Sequence, residues 1–363
     1  PRPHQLRPRL RQGDRRPARR RHSQLRAGST PLTAPRGTAA ALALCALAAA
    51  GCAPTGGGGG DTTQIGWTSS TNPIRAVLVK GGTGTNIYNY NNYDNLASNN
   101  DIDIVYVVLP NSMHAEYSIR ALEAGKHVIC EKPMAMNAAE ALRMIETARK
   151  VNRKLSIGYR MHYDNYFIEA KRLGQSEAFG PVNYMETALG YSFTPDVNTW
   201  KVKKDMGGGS LYNLGVYPIQ SAGHTKGKEP VYATAQATTK RKEIFKEIDE
   251  IFTWQLEWED GTLCNSYAGP VAGIDRLFAG CTDGFIELNP CTPYTGQAGK
   301  TSKGKLTFEH VFQQKLQIDD FANCVMENKE SIVKGEDGWR DMLIIDAIHK
   351  SLQSGKKEKI GEK

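Results

Sequence analysis

Two short runs in this chain carry the side chains best suited to chemistry. Lys132 lies in Cys130-Glu131-Lys132-Pro133-Met134, directly behind the apolar segment His127-Val128-Ile129-Cys130. An ammonium held there by a following proline can stand at the rim of a ligand cleft, where partial burial and neighbouring groups tune it. The second run is Gly207-Gly208-Gly209-Ser210, followed by a predicted helix that carries Asn213 and Tyr217. Residues four apart share a helix face, so this amide and this phenol address one site together. The glycines ahead permit close approach of backbone or ligand. A free phenol titrates near 10 and is a poor base at neutral pH, but a nearby ammonium favours its phenolate. The Asn213 amide both donates and accepts hydrogen bonds and cannot act as a base. Taken singly, each residue has an ordinary alternative: a half-buried packing tyrosine and a solvated lysine.

The elements that must position them read as follows. An apolar strand over 104–109 ends in Pro110-Asn111, and a helix over 114–124 follows, closed by Gly125. The strand His127–Cys130 runs into Glu131-Lys132-Pro133; a helix from 137 to about 151 and a strand over 154–157 come next. Asn137 with Glu140 three residues later forms a capping-box start. Strand, helix, strand in this order is the pattern of right-handed crossovers on a parallel sheet, and ligands bind such sheets at the carboxyl ends of the strands. Both polar clusters, Pro110-Asn111 with His114 and Glu131-Lys132-Pro133, fall at such ends.

After residue 158 the pattern changes to longer strands, over 181–193 and 230–239, and a hairpin of 250–258 with 262–267 around Asp260-Gly261. Thr282-Asp283-Gly284 marks another turn, and helices over 313–328 and 339–352 follow, the second stopped by Gly355. Strands in series with tight turns predict an antiparallel or mixed sheet. The fold class is therefore α/β: a Rossmann-like parallel-sheet domain over 61–157 with an incomplete first βα unit, then a C-terminal α+β domain over 158–335 with a large mixed or antiparallel sheet. A C-terminal helix and tail occupy 336–363.

Charge is concentrated at one end. Of 46 basic and 38 acidic residues in 363, residues 1–37 hold 11 arginines and one acid, Asp14. The remainder carries 35 basic and 37 acidic residues, so the net charge of +8 belongs to the N-terminal segment. The folded part has no electrostatic footprint for nucleic acid. Residues 1–60 admit three readings: an export signal, with a basic stretch, an apolar run over 38–50 and Ala-Ala-Gly-Cys52; a disordered basic arm; or sequence foreign to the domain. A true export signal implies a periplasmic or envelope location, and otherwise the location is cytoplasmic. Thirteen apolar residues are too few to span a membrane. Seven cysteines without metal or disulfide spacing read as buried thiols, Cys130 included.

The stretches LPNSMHAEYSIRALEAGKHVICEKPMA, GYRMHYD (158–164) and GGGSLYNLGVYPIQ (207–220) resemble the glucose-fructose oxidoreductase, inositol dehydrogenase and rhizopine-catabolism (Gfo/Idh/MocA) family, within it the glucose-fructose oxidoreductase-like branch. The resemblance covers roughly residues 86 to 360. It implies an NAD(P)-dependent oxidoreductase acting on a sugar or polyol, with NADP favoured, NAD second, and homo-oligomers formed through the C-terminal sheet. It also implies Tyr217 as general acid/base, Lys132 as its supporting cation and Asn213, where Asp is usual, as an orienting group. Cofactor contacts implied are Pro110, Asn111, His114, Glu131, Lys132, Pro133, Arg160 and Trp200; substrate contacts are Lys132, Arg160, His162, Asn213 and Tyr217. One departure stands out. No G-x-G-x-x-G precedes residue 102; Gly56–Gly60 reads as linker, and the strand over 74–79, followed by Lys80-Gly81-Gly82-Thr83-Gly84, resembles the family's second strand. The alternative reading is a non-catalytic sugar- or nucleotide-binding relative.

Overall fold

The computed structural model describes residues 92–361 and the backbone of two strands before them, β1 (Ile65–Thr68) and β2 (Pro73–Val79). The expected N-terminal segment 1–60 lies outside the described residues. β2, β3 (Ile104–Val107), β4 (His127–Cys130) and β5 (Leu155–Ile157) run parallel in that order, with β1 antiparallel on the edge. β3 is buried at all four positions, as expected for a strand covered on both faces. Val105 and Val107 face the main core, whereas Ile104 and Tyr106 join Ile129 on the other side.

α1 (His114–Glu123) buries His114, Tyr117, Ser118, Ala121 and Leu122, a spacing of threes and ones that keeps a single stripe inward. It ends at Gly125, which takes the left-handed φ of +80° that stops the helix. α2 (Ala138–Lys150) begins as its sequence predicts: the Asn137 side chain accepts from Glu140 N at 2.9 Å, and the Glu140 carboxylate accepts from Met136 N at 3.1 Å.

The position of β2 corrects the sequence reading. It pairs directly with β3, from Ala76 beside Ile104 to Val79 beside Val107. In the doubly wound order 3-2-1-4-5 the neighbour of the strand bearing Pro110-Asn111 is the first strand, not the second. Lys80-Gly81-Gly82-Thr83-Gly84 therefore follows the strand whose turn faces a pyrophosphate in this architecture.

α3 (Asn165–Gln175) is capped by Asp164, whose carboxylate accepts from the amides of Tyr166 and Phe167 at 3.1 Å. Beyond it lie β6 (Val182–Gly190), a π turn at Leu211–Gly215, α4 (Val216–Lys226), β7 (Tyr232–Thr238), β8 (Ile251–Glu257), β9 (Leu263–Gly269), β10 (Ile274–Cys281) and β11 (Gly284–Leu288). β12 (Gly299–Thr301), β13 (Gly304–Leu306), α5 (Gln313–Met326), α6 (Gly335–Ser354) and β14 (Glu358–Lys359) complete the chain. The nine-stranded sheet has the order β13-β12-β11-β10-β6-β9-β8-β7-β14 and is mixed, because β6 and β9 run parallel.

Packing ties the two sheets together. α5 crosses back to lay Ile318, Phe321 and Ala322 on Ile104, Tyr106 and Ile129, and α6 packs on α2, β5 and β7. Phe321 is completely buried there; truncating such a ring to alanine costs about 3–5 kcal/mol. The change of pattern near 157 marks the change of sheet, whereas β13 and β14 on either side of 335 share the nine-stranded sheet, and one core runs across both positions. No helix among the described residues is long and apolar enough to cross a membrane.

Candidate active site

The ends of β3 and β4 open into a cleft of about 470 Å³. Its walls include Leu109, Asn111, His114, Glu131, Lys132, Arg160, Trp200, Asn213 and Tyr217. Most of the residues singled out in the sequence are therefore brought to one place. They do different work there.

Lys132 leaves the end of β4 and crosses to the π turn, where its Nζ donates to the Asn213 carbonyl at 3.0 Å. The same ammonium stands 4.8 Å from the centre of the Tyr217 ring. Asn213 turns its Nδ2 back to the Gly209 carbonyl at 2.9 Å; the remaining side-chain oxygen is an acceptor at the cleft wall. A π turn in place of a regular one is a frequent mark of a functional position.

Glu131 is held by two donors, the Tyr106 hydroxyl and Lys132 N, the latter at 3.1 Å. Burial and the Glu131 charge push the Tyr106 phenol far above its usual range, so it stays a donor. Gly158 is what leaves room: a Cβ there would come within 3.0 Å of the Glu131 carboxylate.

Asn111 and His114 build the cleft. The Asn111 amide donates to the Gly207 carbonyl at 2.7 Å, fixing the loop after β3 to the glycine run. Gly207 has φ +74°, and a Cβ on it would stand 2.6 Å from both Asn111 Cβ and Met136 Sδ, so the glycines serve this seam. His114 faces two backbone carbonyls, Pro133 from Nδ1 at 2.7 Å and Leu109 from Nε2 at 2.9 Å. Burial lowers its pKa, against the pull of those carbonyls toward the charged form. Pro133 contributes through that carbonyl, and neither Pro110 nor Pro133 is on the cleft wall. Cys130 is buried, and burial pushes its thiol up to about 12, the inert reading expected.

His162 is placed elsewhere. Its Nε2 donates to the Gln220 side-chain oxygen at 2.7 Å and its ring lies 4.3 Å from that of His224, in a second cavity of about 200 Å³ that also contains Arg340 and Asp341. It does not line the cleft, contrary to the expected substrate contact. Arg160, two residues earlier on the 3₁₀ turn Arg160–Tyr163, does. In a turn of three residues, side chains two apart diverge by two-thirds of a revolution.

Aromatic and apolar residues absent from the sequence reading complete the walls: Leu189 and Tyr191 at the end of β6, Phe193, Phe245 and Tyr294. They come from the end of β6 and from loops after distant strands, and no local spacing announces them.

Comparison of the sequence with known families finds two matches. The profile described as "Oxidoreductase family, NAD-binding Rossmann fold" covers residues 68–159, and the "GFO/IDH/MocA C-terminal domain" covers residues 167–287. The crystal structure of aldose-aldose oxidoreductase from Caulobacter crescentus, complexed with glycerol, superposes with a TM-score of 0.73 at 34% identity, covering 77% of this chain and 85% of that one.

The chain belongs to the Gfo/Idh/MocA family.

Named relatives match in sequence. D-xylose 1-dehydrogenase [NADP(+)] of Haloarcula marismortui is 26% identical over 77% of this chain and 80% of its own length. Trans-1,2-dihydrobenzene-1,2-diol dehydrogenase of Xenopus laevis is 33% identical over 55% of this chain and 59% of its own length. The family match begins at residue 68, just before β2, in accord with β2 as the first strand of the cofactor domain.

Proposed function

We propose that this protein is an NADP-dependent oxidoreductase of a small sugar or polyol, with NAD as the second-choice cofactor. The observation that carries the reading is the Lys132 ammonium 4.8 Å from the Tyr217 ring, inside a cleft at the carboxyl ends of parallel strands. The xylose-acting, NADP(+)-dependent relative and the aldose-aldose oxidoreductase structure support the substrate class and the cofactor.

The residues present fit the nicotinamide half of such a cofactor. Glu131 and Lys132 stand at the strand-end side of the cleft, which Trp200 also lines, with Asn111 and His114 bracing the loops after β3 and β4. When bound, the nicotinamide ring supplies the acceptor or donor for hydride. The protein's own task is the proton: Tyr217 takes it from the carbinol oxygen during oxidation, or gives it to the carbonyl oxygen in reverse. Lys132, aimed by the Asn213 carbonyl, sets its positive charge beside the ring of that phenol. The Asn213 side chain orients the sugar hydroxyl. Tyr191, Phe193 and Tyr294 offer apolar faces that exclude water.

The non-catalytic alternative had its support in the missing phosphate loop, and the placement of β2 ahead of Gly81–Gly84 weakens that support. A panel of aldoses and polyols with NADP⁺ and NAD⁺, followed at the absorbance of the reduced cofactor, tests the function. Tight cofactor binding with no turnover on any of them would favour the alternative.

Association of copies through the nine-stranded sheet belongs to the same proposal. Its open face carries an ion-paired ladder, Arg276 with Glu186 and Glu287, and Lys300 with Glu287, beside the stacked rings of Phe278 and Phe285. Sedimentation showing only monomer at micromolar concentration would count against it.

A further inference from the structure

One wall of the cleft is built from loops of the nine-stranded sheet. Phe193 and Pro195 follow β6, Pro270 follows β9 and Phe245 precedes β8. A single side chain outside the cleft touches all three loops. Arg241 Nη1 donates to the Phe193 carbonyl at 3.0 Å and to Thr194 Oγ1 at 3.2 Å, and its Nη2 donates to the Pro270 carbonyl at 3.2 Å. Its Cζ lies 5.4 Å from the centre of the Phe245 ring. Phe193 N donates to the same Pro270 carbonyl at 3.3 Å, so the guanidinium caps the pairing of the segments that leave β6 and β9.

Glu250 anchors Arg241 from behind. Its side chain is completely buried, and its carboxylate accepts from Arg241 Nε, from Arg241 N at 3.0 Å and from Lys240 N at 2.8 Å. Burial acts against the charge, but these donors prevail and hold the carboxyl below its usual range. The Glu250 carbonyl accepts in turn from the Ser210 hydroxyl at 2.7 Å, at the head of the segment that carries Asn213 and Tyr217.

We propose that Arg241 is a positioning residue that sets substrate affinity: its guanidinium clamps the loops after β6 and β9 together and so holds Phe193 and Pro270 as a fixed wall for the sugar. The inference rests on the reading of this cleft as the site of a sugar or polyol oxidoreductase.

A guanidinium suits the task because its donors form a planar fork, which here meets a carboxylate along one edge and two loop carbonyls along the other. A lysine would keep the charge that buried Glu250 requires, but its one nitrogen cannot span those acceptors. With the clamp in place the wall stands before substrate arrives; without it, binding must order two loops, and that cost weakens affinity. The nicotinamide side is anchored separately. Glu131 and Lys132 belong to the parallel sheet, and the chain just beyond Trp200 has its own attachment, Lys203 Nζ and Lys204 N donating to Glu247 at 2.9 and 3.2 Å.

Arg241→Lys is the decisive variant, measured as KM and kcat for the best substrate of the aldose and polyol panel at saturating NADP⁺, with NADPH affinity titrated on the same preparation. KM for the sugar should rise roughly 3- to 20-fold while kcat and NADPH affinity stay within about twofold. Because the clamp acts through Phe193, adding Arg241→Lys to Phe193→Ala should raise KM no more than about twofold further. Thr194→Val, which removes one acceptor and keeps the shape, should raise KM by a smaller factor and serves if the lysine variant does not fold. A folded Arg241→Lys protein with unchanged KM, a KM rise undiminished in the Phe193→Ala background, or one matched by an equal loss of NADPH affinity would overturn the proposal. Failure of the unmodified chain to oxidise any sugar or polyol would instead overturn the functional reading, and the proposal with it.

Discussion

Lys132→Met removes the ammonium and keeps a side chain of similar reach. Its Nζ lies 4.8 Å from the centre of the Tyr217 ring. With the hydroxyl oxygen at the edge of that ring, a unit charge pair roughly 5–6 Å apart interacts by about 3 kcal/mol at an effective dielectric of about 20, and by about 0.8 kcal/mol in bulk water. Both side chains are half-buried, so the working value lies between, at about 1–2 kcal/mol. Turnover of the sugar at neutral pH should therefore fall roughly 5- to 30-fold through this interaction. The loss should shrink as pH rises toward about 10, where a phenol ionises without help. The assay is kcat at saturating sugar and NADP⁺ across that range, with a thermal melt to show that the variant is folded. A folded Lys132→Met enzyme within about twofold of the unmodified rate at neutral pH would refute the electrostatic reasoning.

Two further expectations concern stability. Gly207→Ala puts a Cβ 2.6 Å from Asn111 Cβ and Met136 Sδ at a residue with φ +74°; a loss of about 1–3 kcal/mol is expected, and an unchanged denaturation midpoint would count against the seam described. Burial raises the Asp341 carboxyl to about 8, while the same group in the unfolded chain titrates near 3.9. Between those values the folded protein holds a proton that the unfolded chain has released, so this group's contribution falls as pH rises from about 4 to about 8, by at most about 1.4 kcal/mol per unit. Asp341→Asn, which can still accept from Gln220 Nε2 as the carboxylate does at 2.8 Å, should lack that decline. Parallel stability curves for the two proteins between about pH 5 and pH 9 would contradict it.

What was legible in the sequence was local. The cap at Asn137, the stop at Gly125 and the strand-end run Glu131-Lys132-Pro133 each depend on neighbours within a few residues, and the structure has them as read. Tyr217 and Lys132 meet because two such local patterns were each recognisable, although 85 residues of chain separate them. The failures were of another kind. β2 was assigned the wrong rank in the sheet because its partner, β3, is chosen by long-range pairing. His162 was aimed into the cleft because a motif gives residue types without saying which way a 3₁₀ turn points them. Arg241 and Tyr294 were invisible, since their roles arise only when the loops before β8 and after β11 fold onto the cleft walls.

The most direct test of the account is Tyr217→Phe, measured twice on the same preparation: cofactor binding by titration of NADPH fluorescence, and turnover by sugar-dependent reduction of NADP⁺. Removing a general base of this kind costs roughly 10²- to 10⁴-fold in rate, and the phenyl ring keeps the packing between Lys132 and Arg160. The account predicts turnover lowered by that factor with NADPH affinity within about twofold of the unmodified protein. Near-normal turnover in Tyr217→Phe, or a loss of rate matched by an equal loss of cofactor binding, would contradict it.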